Sequence, residues 1–376
     1  MSGLTIASKS PWHPAMRREH HFSLVALRHG YDVTFIEQPE DIRSARSHLK
    51  HYVEGLRGRV SEDSSIKVMQ RSVLVPGHRG KLWQHLDVWQ LHRLLESTIN
   101  PVVHYLPWQF GAGPSTARAV FDCTDNWLSL YPSAAAPLLQ RSFAKIADEA
   151  DEIIVVSPAL SSLFPGREPQ VIPNGVDARE IANVVAPRPG QQRLVFVGTL
   201  SERFDVAAVR ALLADLPDWT LDLYGPCRFA GSVDQPSPEL RRLLETSGGR
   251  VSLRGVVPKH EVSRVLDQAD VLVIPSVAGI ARGQSSMKLL DAAARGRPAV
   301  VSPDVTVDGS GRPPGTYVAT ALEEWATAVL DAANEDVSVG ESRRQWALQN
   351  TWEQRFHAWR GAVGIAPNEK ELGNGH

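Results

Sequence analysis

The chain has 376 residues, more than one average domain, and this length predicts two domains of roughly 150–200 residues each. Apolar residues make up 43% of the chain and charged residues 22%, as in ordinary folded proteins. The formal net charge is −2 and no long basic or acidic run occurs, which argues against a nucleic-acid or anionic-membrane partner.

The apolar runs are all too short for a membrane span, and the first residues are too polar for a signal peptide. We therefore expect no transmembrane segment. The two cysteines, Cys123 and Cys227, lie far apart in the sequence, which is typical of free core thiols in a reducing compartment. These features predict a cytoplasmic protein.

The chain begins with a predicted strand–helix–strand unit. A short strand at residues 4–7 precedes a helix at 16–29, and an alternating strand follows at 31–37. This order predicts a parallel sheet, and ligands of such sheets bind beyond the carboxyl ends of the strands. Trp12 and His13 lie in the first such loop, so both are candidate ligand contacts. Trp12 is equally suited to packing within the loop.

Residues 82–99 predict a long helix that is rich in large apolar side chains: Trp83, Leu86, Trp89, Leu91, Leu94 and Leu95. We expect this stripe to lie in the core, and the wall of a groove is the alternative.

Another predicted strand, residues 119–121, ends in two nearby carboxylates, Asp122 and Asp125. A carboxylate at the end of a strand can orient a ligand hydroxyl. It can equally cap the turn that follows. A helix at 138–150 and a buried strand at 153–156 continue the alternation.

The C-terminal half repeats the alternation of strand and helix, which predicts a second Rossmann-like domain. Asn174 and Gly175 mark a turn, and the apolar strand 194–197 leads into Gly198 and Thr199. Glycine there lets the backbone approach a ligand closely. Arg203 follows in the same loop, and Gly255 and Val256 lie in a later strand and loop, residues 251–258.

Residues 271–302 form a strand–loop–helix–strand unit. Ser285 and Ser286 precede the helix that starts near Met287, and serine is a common N-cap. A helix N-terminus carries partial positive charge, so the adjacent cations Arg282 and Lys288 make sense if an anion such as phosphate lies between them. Asp291, one turn further on, is placed to accept hydrogen bonds from a ribose diol. An ordinary amphipathic helix with solvated charges is the alternative.

The last predicted helix, residues 343–363, carries three aromatic side chains on one face: Trp352, Phe356 and Trp359. Such a face must be buried, so the helix is expected to pack on another part of the protein. The segment after Pro367 is expected to be disordered.

The unit at 271–302 resembles the donor-binding motif of the large family of GT-B glycosyltransferases that use nucleotide sugars and retain anomeric configuration. Asp291 falls on the second acidic position of that motif, and Gly296 and Pro298 follow as expected. Gly283 occupies the first acidic position, so that acid is missing. Lys288 and Asp291 together are similar to a subgroup with a lysine three residues before the second acid.

Three further strings carry the same resemblance. They are the I-P-N-G-V-D run at 172–177, the D-C-x-D stretch at 122–125 and the T-W-E-Q-R segment at 351–355. The family's phosphate-gripping arginine and lysine fall on Thr199 and Asp205 here, so Arg203, Arg282 and Lys288 are expected to replace them.

The resemblance implies an α/β, GT-B fold, in which two Rossmann-like, doubly wound domains face each other across a cleft. Residues 1–168 would bind the acceptor and 169–342 the nucleotide sugar, with a C-terminal helix at 343–365 packing back on the first domain. The implied reaction is transfer of a sugar from a nucleoside diphosphate sugar, UDP by default, to a hydroxyl or amine. Retention, independence from metals and cofactors, and a polysaccharide, lipid or natural-product acceptor are implied by the resemblance as well.

The residues that the resemblance and the positions above single out fall into three groups. The catalytic candidates are Asp125, Arg203 and Lys288. The acceptor-binding candidates are Trp12, His13 and Asp125. The donor-binding candidates are Gly198, Thr199, Arg203, Gly255, Val256, Arg282, Ser285, Ser286, Met287, Lys288 and Asp291.

Three other functions remain open at this point. A nucleotide-sugar epimerase uses the same fold, although no convincing set of acidic and histidine residues for elimination is evident. A non-catalytic partner subunit would explain the missing acid at Gly283. A nicotinamide-dependent oxidoreductase would need a glycine-rich turn after the first strand, and residues 8–14 contain no glycine.

Overall fold

The computed structural model describes residues 3–12, 16–41, 59–63, 66–131, 133–183, 190–229, 234–308 and 311–367. The chain divides into two compact units. The N-terminal unit comprises Met1–Pro173 and Trp352–His376, and the C-terminal unit comprises Asn174–Thr351. The chain thus passes between the units near, but not at, the positions expected from the sequence.

Strands and helices alternate through both units. The strands are β1 Gly3–Ala7, β2 Asp32–Ile36, β3 Glu40–Asp41, β4 Arg59–Asp63, β5 Ile66–Gln70, β6 Ser72–Val73, β7 Val102–His104, β8 Ala119–Cys123, β9 Glu152–Val155, β10 Gln170–Val171, β11 Arg193–Val197, β12 Thr220–Tyr224, β13 Val251–Gly255, β14 Val271–Ile274, β15 Ala299–Val301 and β16 Tyr317–Val318. The helices are α1 Arg18–Arg28, α2 Lys81–Leu95, α3 Trp127–Leu130, α4 Ala136–Glu149, α5 Val206–Asp215, α6 Pro238–Thr246, α7 Lys259–Asp267, α8 Met287–Ala294, α9 Glu324–Asn334, α10 Val337–Leu348 and α11 Trp352–Val363.

The sheet of the N-terminal unit has eight strands in the order β10-β9-β8-β7-β1-β2-β5-β4. Its strands are parallel except β4, which runs antiparallel to β5, and β3 pairs with β6 in a separate ladder. The strand order reverses direction between β1 and β7, so the loops that follow these two strands border a crevice. This unit confirms the predicted parallel sheet at the start of the chain.

The sheet of the C-terminal unit has six parallel strands in the order β13-β12-β11-β14-β15-β16. Leu194 of β11 pairs with Leu221 of β12 on one side and Val271 of β14 on the other. The order reverses between β11 and β14, which places a second crevice at their carboxyl ends. Both sheets therefore confirm the predicted α/β class with doubly wound, Rossmann-like topology.

Alternating side chains of β11 show how the C-terminal unit builds its core. Leu194 and Phe196 point into one apolar cluster, whereas Val195 points into a second cluster on the opposite face of the sheet. Successive side chains of a strand face opposite ways, so a strand covered by helices on both faces is apolar at every position. This explains the continuous apolar run in the sequence.

The predicted C-terminal helix at 343–363 is two helices, α10 in the C-terminal unit and α11 in the N-terminal unit. The chain breaks between them because Asn350 and Thr351 pair with Val176. The Val176 amide donates to the Asn350 carbonyl over 2.9 Å, and a continuous helix would have used that carbonyl itself. Within α11, Trp352, Phe356 and Trp359 are buried, and their rings pack against His21, Phe22 and His29 of the first helical segment.

The apolar side chains of α2 lie in the core only in part. Leu82, Leu86 and Trp89 are 64%, 45% and 57% exposed, whereas Leu91 and Leu95 on the opposite side of the helix are buried. The sequence could not distinguish the two faces because both are apolar. None of the helices in the described part of the chain combines the length and the apolarity that crossing a membrane requires.

Candidate functional site

The loops after β11 and β14 are joined through their backbones. The amide of Val277 donates to the carbonyl of Arg203 over 3.0 Å, and the amide of Asp205 donates to that of Pro275 over 3.1 Å. These bonds hold Arg203 beside the β14 loop at the point where the strand order reverses. Open α/β sheets bind ligands at this point, so the donor-binding candidates on the two loops share one site.

The start of α8 is held by two hydrogen-bonded serines. The hydroxyl of Ser286 accepts from the Leu289 amide over 3.4 Å, which confirms the predicted N-cap and makes Met287 the first helical residue. Ser285 is buried, and Asn174 holds it by donating from its amide to the Ser285 hydroxyl over 3.0 Å and from Nδ2 to the Ser285 carbonyl over 2.9 Å. The asparagine of the I-P-N-G-V-D string therefore fixes the loop that enters α8.

Lys288 lies in the first turn of α8 and extends along the end of β11. Its ammonium lies 5.5 Å from the ring centroid of Phe196. Gly198 has a φ of 150°, and a Cβ built there would overlap Cε of Lys288 and lie 2.9 Å from Nζ. The glycine predicted to allow a close approach therefore makes room for the lysine side chain itself.

The ammonium of Lys288 is destabilised by its surroundings. Burial lowers the pKa of Lys288 below its ordinary value, the charge of Arg203 lowers it further, and Asp291 acts in the opposite direction. Within the described residues, the side chains of Lys288, Arg203 and Arg282 form no hydrogen bond or ion pair with the protein. Arg282 is exposed. Two cations that repel each other beside a helix N-terminus would be stabilised by an anion.

Three glycines with positive φ end the neighbouring strands β11, β12 and β13. Gly198, Gly225 and Gly255 have φ angles of 150°, 137° and 74°. A Cβ on Gly225 would overlap the Gly198 carbonyl, and the Gly225 amide donates to the Gly255 carbonyl over 2.8 Å. The positive φ angles favour glycine at all three positions, and the space of a Cβ is taken by the Lys288 side chain at Gly198 and by the Gly198 carbonyl at Gly225. Thr199 and Val256, the next residues after two of these glycines, are both exposed.

Asp291 forms an ion pair that the sequence did not indicate. Nζ of Lys259, the first residue of α7, donates to Oδ1 of Asp291 over 2.6 Å, and both side chains are partly exposed. The second oxygen, Oδ2, accepts no hydrogen bond from any residue that the structure describes. Asp291 can therefore keep its ion pair with Lys259 and still accept a hydrogen bond from a ligand hydroxyl.

Asp125 of the N-terminal unit lies just after β8 and is held by the loop after β1. Nζ of Lys9 donates to Oδ2 of Asp125 over 2.8 Å and also bonds the Thr124 hydroxyl. The Thr124 hydroxyl in turn donates to Asp125 over 2.9 Å. Asp125 raises the pKa of the Tyr131 phenol, after the larger effect of burial, to about 12. Asp125 is thus a fixed carboxylate at the carboxyl end of the sheet.

Trp12, the other described acceptor candidate, is 8% exposed. Its ring packs at 4.8 Å from Phe35 and 5.3 Å from His20, and its amide donates to Glu37 over 2.7 Å. This is the packing role that the sequence left open beside ligand binding. His13 lies outside the described residues, and its role as an acceptor contact stays a prediction.

Asp122, three residues before Asp125, is the centre of a buried hydrogen-bond network. Nε of Arg18 donates to its two oxygens over 3.0 and 2.9 Å, and the Tyr105 hydroxyl and Trp359 Nε1 each donate to Oδ2 over 3.0 Å. Neither Asp122 nor Arg18 is more than 2% exposed. Asp122 therefore joins α1, β8 and α11, and it does not cap a turn as one reading of the sequence suggested.

Glu19 is a second buried carboxylate of this unit. It accepts hydrogen bonds from Ser8 and Ser10 in the loop after β1. Burial raises the pKa of Glu19, but Lys9, His20 and the Ser10 hydroxyl outweigh burial and lower it below its usual range. Glu19 is thus an anion that orders the loop carrying Lys9.

The sequence did not predict the contacts that Phe196, Gly225, Lys259 and Lys9 make in these sites, and it marked Asn174 only as part of a turn. Gly225 had a usable signal, because it ends a strand as Gly198 does. The other contacts join residues distant in sequence, and no local pattern indicates them. Both cysteines are free and buried, as predicted. No cluster of three or more metal-binding side chains occurs among the described residues.

Comparison with known proteins gives a family match over part of the chain. Residues 191–335 match the family model of glycosyl transferases group 1. The matched segment begins beside β11 and ends after α9, so it contains the site built around Lys288. No curated protein sequence matches the chain.

Solved structures resemble the whole chain. Sucrose-phosphate synthase from Thermosynechococcus elongatus has a TM-score of 0.73 at 15% identity, with 100% of each chain covered. Trehalose-6-phosphate synthase OtsA has a TM-score of 0.72 at 14% identity, covering 98% of this chain and 100% of its own. Anabaena Alr3699/HepE, solved with UDP and glucose, has a TM-score of 0.67 at 12% identity, covering 97% and 100%. The chain therefore has the predicted GT-B fold, and the family match supports a sugar transferase.

Proposed function

We propose that the protein transfers a sugar from a nucleoside diphosphate sugar, with UDP as the carrier, to a hydroxyl or amine of an acceptor. The observation that carries this proposal is the unbalanced positive charge at the β11–β14 switch point. Arg203 and Lys288 lie beside the N-terminus of α8, and burial, followed by the charge of Arg203, lowers the pKa of Lys288 although Asp291 acts in the opposite direction. A diphosphate supplies the missing negative charge.

The same groups suit the chemistry of the transfer. As the bond between sugar and diphosphate breaks, negative charge grows on the departing phosphate. The amides at the start of α8, with Lys288 and Arg203, stabilise that charge, which is often the largest contribution to catalysis. These cations supply the charge that a metal ion supplies elsewhere, so the proposed reaction needs no metal or other cofactor.

The other donor candidates take roles around the diphosphate. The glycine edge formed by Gly198, Gly225 and Gly255 would border the nucleotide, with the Lys288 side chain lying over Gly198. Oδ2 of Asp291 accepts a hydrogen bond from the ribose diol, and the exposed guanidinium of Arg282 contacts the phosphates. Thr199 and Val256 flank the glycine edge on its exposed side. UDP as the carrier is supported by two structural neighbours, which were solved with UDP and glucose and with UDP-2-fluoro glucose.

In the N-terminal unit we assign Asp125 to the acceptor, whose hydroxyl or amine it would orient. We further propose retention of anomeric configuration, because the donor motif resembles that of retaining enzymes. In a retaining reaction of this kind, the acceptor attacks from the face that the leaving group departs from, and the phosphate takes the acceptor's proton. No protein base is then required. A glycan, a lipid or a natural-product scaffold fits this proposal as acceptor.

The test is calorimetric titration of UDP, GDP and dTDP without metal into the wild type, Lys288→Ala and Lys145→Ala. Lys145 is an exposed lysine of α4 and serves as the matched control. We expect one nucleotide to bind the wild type and Lys288→Ala to weaken it by about 1–3 kcal/mol, with Lys145→Ala unchanged. If no nucleotide binds the wild type, the proposal is wrong.

A non-catalytic partner subunit is the second candidate. It is favoured by Gly283, which replaces the first acid of the donor-binding motif. Slow hydrolysis of the bound nucleotide sugar separates the two functions. A transferase releases free sugar when no acceptor is present, whereas a binding subunit leaves the donor intact.

A further inference from the structure

Helix α2 is apolar on two opposite faces. Leu91 and Leu95 lie in the core of the N-terminal unit and are at most 1% exposed. Leu82, Leu86 and Trp89 are 64%, 45% and 57% exposed. Their spacing of four and three residues places them on one stripe along the helix, on the side away from Leu91. We call these three residues the outer stripe.

The outer stripe is unusual for a surface helix. Single exposed apolar residues are common in proteins, but an aligned set that includes tryptophan marks an interaction surface. A helix that packs by one face normally carries polar side chains on the other. The sequence of α2 has leucine and tryptophan there instead, so the outer stripe is suited to a partner.

The charges around the outer stripe are mainly positive. Arg79 and Lys81 are exposed at the start of the helix, and Arg93 is exposed near its end, with its guanidinium 5.5 Å from the ring centroid of Trp89. The acid within the helix, Asp87, is buried and paired with Arg71. Glu96, just after the helix, adds one negative charge. The surface is therefore basic, although the net charge of −2 for the whole chain led us to expect no anionic-membrane partner from the sequence.

The orientation of α2 is fixed by its inner side. Gln84 Nε2 donates to the Trp108 carbonyl over 3.2 Å, and Gln90 Nε2 donates to the Ser72 carbonyl over 2.9 Å. Gln109 Nε2 donates to both oxygens of Asp87, over 3.3 and 3.1 Å. These bonds, with the Arg71 pair, prevent the helix from turning its outer stripe inward without losing buried polar contacts.

We propose that the outer stripe docks on an anionic lipid bilayer, with α2 lying in the plane of the membrane interface. The leucines would enter the boundary between headgroups and acyl chains, and tryptophan favours the headgroup level. Arg79, Lys81 and Arg93 would contact lipid phosphates, each lysine or arginine being attracted by the negative surface potential. A second copy of the chain fits less well, because a two-fold interface would bring the same basic residues together.

The position of α2 connects this surface to the proposed acceptor side. His78, in the turn that precedes α2, packs its ring 4.6 Å from Tyr131 and 5.1 Å from Trp108. The pKa of Tyr131 is raised in part by Asp125, so the three rings adjoin the carboxylate assigned to the acceptor. Membrane docking would thus suit a lipid-borne acceptor. This consequence rests on the proposed function, but the docking itself is independent of it.

Vesicle co-sedimentation of the full chain tests the proposal without any activity measurement. The probes are vesicles of phosphatidylcholine alone and vesicles with phosphatidylglycerol added, each at low and high salt. We expect binding to the anionic vesicles that weakens at high salt. Leu86→Ser with Trp89→Ser should lower the partition coefficient at least about tenfold, because the apolar contacts are lost. Lys81→Glu with Arg93→Glu should lower it on anionic vesicles only.

The matched control is Leu330→Ser with Val337→Ser, which removes two exposed apolar side chains, 42% and 61% exposed, from the C-terminal unit. This variant should bind vesicles like the wild type. The proposal is overturned if the wild type binds neither vesicle, or if the outer-stripe variant and the control bind equally. Light scattering adds a third decisive outcome. The outer stripe would be a self-association surface, and the proposal wrong, if the wild type is a dimer that binds no vesicles and the outer-stripe variant is a monomer. Circular dichroism confirms that each variant is folded.

Discussion

The two sheets both place charged side chains at their carboxyl ends, but they balance those charges differently. In the N-terminal unit, Asp122 is paired with Arg18 and Asp125 with Lys9. In the C-terminal unit, Arg203 and Lys288 repel each other and form no ion pair among the described residues, although Asp291 partly offsets the effect on Lys288. Charges that are neutralised within the protein hold its architecture together, whereas an excess of one sign is suited to a charged ligand.

The difference has an energetic side. In a buried ion pair each charge is stabilised by the other, so removing either residue strongly lowers the free energy of unfolding. A partly buried lysine beside an arginine lowers stability in the free protein, and sites that bind or react often accept such a loss. The two units should therefore respond in opposite ways when a charge is removed.

The largest effect is expected from Asp122→Ala in the N-terminal unit. The substitution leaves Arg18 buried without its partner and removes the acceptor of Tyr105 and Trp359, so the free energy of unfolding should fall by about 3–5 kcal/mol. Asp125→Ala, three residues along the chain, is the control, and its more exposed pair should contribute less than about 1 kcal/mol. Denaturant titrations of both variants provide the measurement. Equal losses would contradict the contrast drawn between the two carboxylates.

Lys288→Met should show the reverse behaviour. Donor-dependent kcat/KM should fall about 100-fold, because a cation at the departing phosphate is lost. Stability in the absence of donor should stay equal or increase, because the substitution removes a charge whose pKa the fold lowers. Thermal unfolding without and with UDP measures both effects, since UDP should no longer stabilise the variant. A variant that unfolds more easily than Lys145→Met would show that Lys288 is structural.

His104 offers a pH-dependent test within the N-terminal unit. It is fully buried, neither ring nitrogen has a hydrogen-bond partner among the described residues, and burial followed by the charges of Lys145 and Arg71 lowers its pKa to about 3. Between pH 6.5 and about 3 the unfolded chain binds a proton that the folded chain does not, so folding stability falls as the pH falls.

The variant His104→Leu lacks this dependence. Relative to its value at neutral pH, the stability of the wild type should drop by about 2 kcal/mol more than that of the variant at pH 5. Urea titrations of the two proteins across this range give the comparison. Parallel pH profiles would show that His104 titrates near its ordinary value.

The smallest effect is expected from Asp291→Asn, which should weaken donor binding about tenfold through the ribose contact. Lys259→Met is the matched control, because it removes the ion pair but leaves the carboxylate in place. Calorimetry with the nucleotide that binds the wild type measures both. If Lys259→Met loses as much affinity as Asp291→Asn, the ion pair rather than the carboxylate supports the donor.

Local patterns predicted much of the C-terminal site. The serine before an apolar-periodic segment indicated the N-cap of α8, and the apolar run before Gly198 indicated a buried strand with a close backbone approach. The structure contains the N-cap and the buried strand, whereas the close approach at Gly198 is made by the Lys288 side chain. The role of Asp122 was missed because its partners Arg18, Tyr105 and Trp359 come from three distant parts of the chain.

The sequence by itself determined the alternation of strands and helices, the doubly wound class and the cations at the start of α8, because strand and helix periods and caps act between near neighbours. Only the tertiary structure decided which groups meet. It paired Asn174 with Ser285 and Lys259 with Asp291, set Gly225 against Gly198, and turned the outer stripe of α2 toward solvent. Such pairings depend on strand order and helix rotation, which sequence spacing does not encode.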